Sequence, residues 1–111
     1  MSEAHDLKVE QEIKEKGLDA PRVTKEEMDG LVDSLKYWVG QVEGTTTIVA
    51  TAVLPMGDDN FTLATEYSAC ASPENFDYEL GKEIACQKAE DAARNMLWLL
   101  EGYALKKELA K

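Results

Sequence analysis

From Phe76 to Tyr103 apolar residues recur every three or four positions. Phe76, Leu80, Ile84, Ala85, Ala89, Ala92, Met96, Leu99, Leu100 and Tyr103 form a stripe that predicts one long helix of about eight turns. Ahead of it the spacing changes. Residues 45–54, TTTIVATAVL, are rich in β-branched side chains, with Ile48, Ala50, Ala52 and Leu54 on one face. Thr47, Val49, Thr51 and Val53 form the other face, so neither side is strongly polar. Pro55 to Asn60 supply a turn, and FTLATEYSAC returns with Phe61, Leu63, Thr65, Tyr67 and Ala69 in line, which predicts an antiparallel hairpin. Tyr37, Trp38 and Val39 begin a further strand-like run. Gly40 and Gly44 interrupt it, the mark of a short edge strand or a turn.

The start of the chain is more polar. Leu7, Val9 and Ile13 stand among charges in a weak helical pattern that Gly17 ends, which predicts a loosely held arm followed by the linker LDAPRV. Thr24 with Glu27 makes a capping box for a short helix bearing Met28, Leu31, Val32 and Leu35 on one side. Ser72 with Pro73 starts the long helix directly, or forms a tight turn that hands over to a start at Asn75. The pattern therefore divides the chain into a charged arm and linker, residues 1–23, and one domain, residues 24–111. Its fold class is α+β: a small antiparallel sheet or hairpin packed against the short helix and the long C-terminal helix.

Length makes the last helix conspicuous. From Phe76 to Leu109 it would reach about 50 Å, whereas a compact chain of 111 residues has a radius of gyration near 13 Å. Either Gly102 breaks it or part of it projects. Leu97, Trp98, Leu105 and Leu109 fall outside the main stripe, so the expectation is a homo-oligomer in which a second subunit covers them; an aromatic end packed within one chain is the alternative.

Charge narrows the function. The 22 acidic against 12 basic side chains, a formal charge of −10, repel nucleic-acid backbones and anionic membranes, which argues against general nucleic-acid or membrane binding. No apolar run is long enough to span a bilayer and the start is not a leader, so a soluble cytosolic protein is expected. Cys70 and Cys86 lack metal-ligand spacing and are expected to be reduced.

Catalytic chemistry finds little support. His5, the sole histidine, lies in the acidic arm; the carboxylate neighbours Glu26 with Glu27 and Glu90 with Asp91 point in different directions on a helix. Asp58, Asp59 and Asn60 are ordinary turn residues, and Gly40 and Gly44 lack the spacing and lysine of a phosphate loop. Neither an enzyme, a metal site nor a cofactor is expected. Arg22 and Arg94, the only arginines, can grip phosphate in a bidentate fork, Lys82 and Lys88 lie on the polar side of the long helix, and Phe76 offers a ring for a base. A pocket of Arg22, Phe76, Lys82, Lys88 or Arg94 at a subunit boundary would bind a small anionic nucleotide. Against it, Arg94 has Glu90 four residues earlier as an ion-pair partner, Phe76 suits the core, and Glu74, Asp77 and Glu79 oppose an anion at the helix start.

The strings KGLDAPRVT, SPENFD and LEGY, within a region from Ile13 to Leu109, resemble a family of small accessory proteins of tailed bacteriophages and prophages. That family is in turn similar to the Thoeris anti-defence sponges, which sequester cyclic ADP-ribose-type signals, and by extension cyclic oligonucleotides, without cleaving them. The resemblance implies Arg22 and Phe76 as ligand residues and the host bacterial cytoplasm as location. Gln87, Lys88 and Ala89 stand where the family commonly has Glu-Asn-Ala, which removes the contact expected of the asparagine. The function expected is thus non-catalytic counter-defence by capture of a cyclic nucleotide. An acidic inhibitor docking on a host protein, with Trp98 as anchor, and a phage assembly protein are the alternatives.

Overall fold

The structure, a computed structural model, describes residues 3–111. Helices α1 (Glu3–Glu15) and α2 (Lys25–Asp33) precede strands β1 (Lys36–Gln41), β2 (Ile48–Met56) and β3 (Asp59–Ser68). A 3-10 turn at Pro73–Asn75 then leads into α3 (Tyr78–Leu109). The strands form one antiparallel sheet in the order β1-β2-β3, and the fold is α+β.

The hairpin turn is tighter than the run from Pro55 to Asn60 suggests. Met56 pairs with Asp59, leaving Gly57 and Asp58 as the connection, and Gly57 takes a φ of 62° that suits a residue without a Cβ. Pro55 is tolerated inside β2 because β1 pairs only as far as Val53, so no ladder bond is lost on that side. Trp38 on β1 folds back over Gly40, its ring lying where a Cβ at that glycine would sit. The glycine thus weakens the edge strand less than a bare one would.

One extra residue in β3 overturns the expected alignment of Phe61, Leu63, Thr65, Tyr67 and Ala69. Ala52 pairs with Ala64 but Val53 pairs with Thr62, so Leu63 is a bulge. Beyond it the alternation reverses: Ala64, Glu66 and Ser68 lie opposite the buried Ala52, Ala50 and Ile48, while Thr65 and Tyr67 join Thr51 and Val49 on the outer face. Leu63 remains buried in the core.

The helix packs by a different row than its large apolar residues indicate. Ala85, Ala89, Ala93 and Leu97, each four residues apart, are buried with Ile48, Ala50 and Ala52 of β2, and Met28, Val32 and Leu35 complete the core. Small side chains on both surfaces let helix and sheet approach closely. At Gly81 a Cβ would lie 3.1 Å from Cγ1 of Ile48, and Ser68 Oγ donates to the Gly81 carbonyl at 2.7 Å. Leu80, Ile84, Met96, Leu99 and Tyr103 of the expected stripe consequently face outward.

Helix α3 begins later than Ser72 or Asn75. Those residues belong to the 3-10 turn region, and Asp77 is the cap, its Oδ1 accepting from the Leu80 N–H at 2.9 Å. The helix then runs unbroken through Gly102 for 32 residues, about 48 Å. This rod draws the molecule out to 54 × 34 × 18 Å with a radius of gyration of 17.2 Å.

Candidate functional site

Where α1 crosses α3, three carboxylates meet the few strong cations of the chain. Asp6 Oδ2 accepts from Arg94 Nη1 and from Trp98 Nε1, both at 3.0 Å, and Asp6 and Arg94 are only 3% and 7% exposed. The other arm of Arg94 donates to Asp29 Oδ1 at 3.0 Å, and Asp29 Oδ2 is gripped by Lys25. Arg94 therefore does not pair with Glu90. Its turn of α3 faces α1 and α2, which present Asp6 and Asp29 directly to it. Lys25, with Arg94 reinforcing it, holds the Asp29 carboxyl below its ordinary pKa.

Arg22 is also matched. Its Nη1 and Nη2 donate to the two oxygens of Glu10 at 2.6 and 3.1 Å, a bidentate fork that lowers the Glu10 pKa, and the Lys25 N–H adds a bond to Glu10 at 3.2 Å. The expected loose arm is thus bound at Glu3, Asp6 and Glu10. Behind Arg22 the linker faces the end of α3 across a groove of about 540 Å³. Pro21, Val23, Leu105 and Leu109 form its apolar wall and Lys106 adds a second cation. No Asp or Glu lines it.

The remaining expected ligand residues lie apart from this groove. Phe76 packs against the core and borders a cavity of about 80 Å³ beside Thr46, Ser68 and Cys70. Lys82 stands among Asp77, Glu79 and Glu83. Lys88 donates to the Tyr67 carbonyl at 3.0 Å and sits 5.6 Å from the centre of its ring. Within one chain these residues do not converge with Arg22 or Arg94.

The expected subunit interface is divided as well. Leu97, 2% exposed, is core, and Trp98 is half-buried beneath α1, so neither awaits a partner. Leu105 lines the Arg22 groove and Leu109 is exposed at its rim. What α3 leaves uncovered is a different row: Met96, Leu99, Leu100 and Tyr103, at i, i+3, i+4 and i+7, with Leu99 68% and Tyr103 65% exposed. Ala92 and Lys106 continue this face at either end, and it carries no carboxylate. Met96, Leu99, Leu100 and Tyr103 all belong to the stripe expected to pack inward; its sides are exchanged because Leu97 and Trp98 are as apolar in sequence as Leu99 and Leu100. Sequence reading missed Asp6 and Asp29. The Lys25 to Asp29 spacing was the one local signal available.

Among the described residues no three His, Cys, Asp or Glu side chains cluster closely enough for a metal ion, and no helix is long and apolar enough to cross a membrane. Cys70 and Cys86 are free thiols.

Residues 23–109 match the model of the family described as Phage protein (N4 Gp49/phage Sf6 gene 66), and over this span, more than half of the chain, it belongs to that family. No curated protein and no solved structure was found to match.

Proposed function

We propose that this member of the N4 Gp49/phage Sf6 gene 66 family is a non-catalytic counter-defence protein that sequesters a cyclic nucleotide signal and works as a homo-oligomer. The signal is cyclic ADP-ribose-like or a cyclic oligonucleotide. The observation that carries this reading is the groove between the linker and the end of α3. In a chain of formal charge −10, it gathers Arg22 and Lys106 on apolar walls without a carboxylate among its lining residues. Its volume of about 540 Å³ lies in the range of small-molecule sites, roughly 300–1,000 Å³. The 80 Å³ cavity at Phe76 is too small for a nucleotide. Among the described residues the Lys106 ammonium is free to answer a phosphate oxygen, Arg22 adds positive charge beside it although its fork holds Glu10, and the leucine and valine walls offer apolar surface to a base or ribose. Capture of this kind needs no reaction.

The uncovered row on α3 supports the oligomer, since a projecting helix with Leu99 and Tyr103 bare gains by burying them against a like surface. Titration calorimetry with cyclic ADP-ribose isomers and cyclic di- and trinucleotides tests the capture. Heat is expected with one of these classes, reduced at least about tenfold in affinity by Lys106→Glu. Folded protein giving no heat with any of them overturns it, and a salt-sensitive host protein recovered instead would favour docking on that protein.

A further inference from the structure

We propose that α1 is a built-in occupant of a two-arginine anion site, its Asp6 and Glu10 carboxylates standing where two phosphate groups of a ligand would bind. Asp6 and Glu10 are four residues apart on α1, hence on one face and about 6 Å apart along the axis. Each takes one arginine: Arg94 holds Asp6 and Arg22 holds Glu10 in the fork geometry that phosphate also accepts. Trp98 lies beside the first pair, its ring nitrogen on the same Asp6 oxygen. The ligand class that replaces α1 is therefore a nucleotide with two phosphates, one on each arginine, whose base or ribose extends from Arg22 into the groove of Val23 and Leu105. This rests on the capture reading above and places the phosphates of that ligand.

The helix is attached as a removable part would be. Asp6 is its only buried residue, and none of its apolar side chains enters the core. Val9, Ile13, Val23 and Trp98 border a half-open groove of about 300 Å³ along its inner edge. Arg94 also holds Asp29 of α2 at 3.0 Å, a contact that does not depend on α1. Charge holds α1, and charge releases it.

Hydrogen exchange of the full chain, read by mass spectrometry with inorganic pyrophosphate as probe, tests this. In Asp6→Asn/Glu10→Gln the α1 amides should exchange at least about tenfold faster while α3 and the sheet are unchanged. Millimolar pyrophosphate should loosen α1 of the unmodified protein more than sodium chloride of equal ionic strength does. Arg22→Gln, at a partly exposed pair, repeats the loosening if the double variant is poorly folded. Unchanged α1 protection in these variants, or pyrophosphate acting no more strongly than chloride, overturns the proposal. If a cyclic nucleotide binds while α1 stays protected, this inference fails and capture stands. If pyrophosphate releases α1 but no cyclic nucleotide gives heat with any variant, capture fails and the α1 switch stands.

Discussion

Asp6 and Arg94, 88 residues apart in the chain, meet at 3.0 Å with both side chains withdrawn from solvent. Removing one member leaves the other charged and poorly solvated, which in buried pairs costs about 3–5 kcal/mol. Arg94→Ala should therefore lower stability to urea by about 3 kcal/mol, limited by the option of releasing α1 to rehydrate Asp6. Asp6→Asn should cost less. Its amide oxygen still accepts from Trp98, and Arg94 retains Asp29.

Acid should act on the same region. Glu10 and Asp29 have folded pKa values below their ordinary 4.5 and 3.8, chiefly through hydrogen bonds from Arg22 and Lys25 respectively. A depressed carboxyl contributes stability that is complete above the ordinary value and disappears as pH falls through the folded one. Melting temperature should hold steady from neutrality to near pH 5 and decline below pH 4, a decline made shallower by Glu10→Gln with Asp29→Asn.

Tyr37 predicts the opposite end of the scale. Burial, with Glu90 nearby, pushes its phenol up from 10.0 to about 12, and its hydroxyl has no hydrogen-bond partner among the described residues. The fold favours the neutral form, so this contribution is intact below pH 10 and is lost as pH rises toward 12. Tyr37→Phe should raise stability by about 1 kcal/mol, since it removes an unsatisfied polar group, and should blunt the alkaline loss. Denaturant curves at neutral and alkaline pH decide it.

Two glycines of α3 should respond with opposite signs. At Gly81 a Cβ already meets Ile48 and Ser68, so Gly81→Leu should destabilise by about 1–3 kcal/mol through overpacking of helix against sheet. At Gly102 nothing lies within 4 Å, and Gly102→Ala should stabilise by about 0.5–1 kcal/mol through helix propensity. Because Gly102 borders the Arg22 groove, the same methyl should weaken the proposed nucleotide capture, which calorimetry on that variant would show.

In the proposed homo-oligomer the bare row on α3 is the contact between copies. Leu99→Glu with Tyr103→Glu should shift sedimentation toward the single chain at micromolar concentration without lowering the melting temperature. These side chains contribute little to the core of one subunit.

The α+β class, the hairpin, the capped short helix and the long final helix were legible in the residues alone, because spacing, capping and turn chemistry act over a few positions. Thr24 does cap α2, accepting from the Glu27 N–H at 3.1 Å, and α3 does outrun a compact fold. The sequence did not tell which side of α3 is inside. The choice of the alanine row over the leucines depends on how closely a sheet of small residues admits a helix, and the inserted Leu63 reverses the outer half of β3 by geometry that pairing alone creates. Nor did it tell that Arg94 belongs to Asp6 and Asp29 and Arg22 to Glu10. Ion pairs across 88 and 12 residues leave no local spacing, and only the folded chain brings the charged arm onto these two arginines.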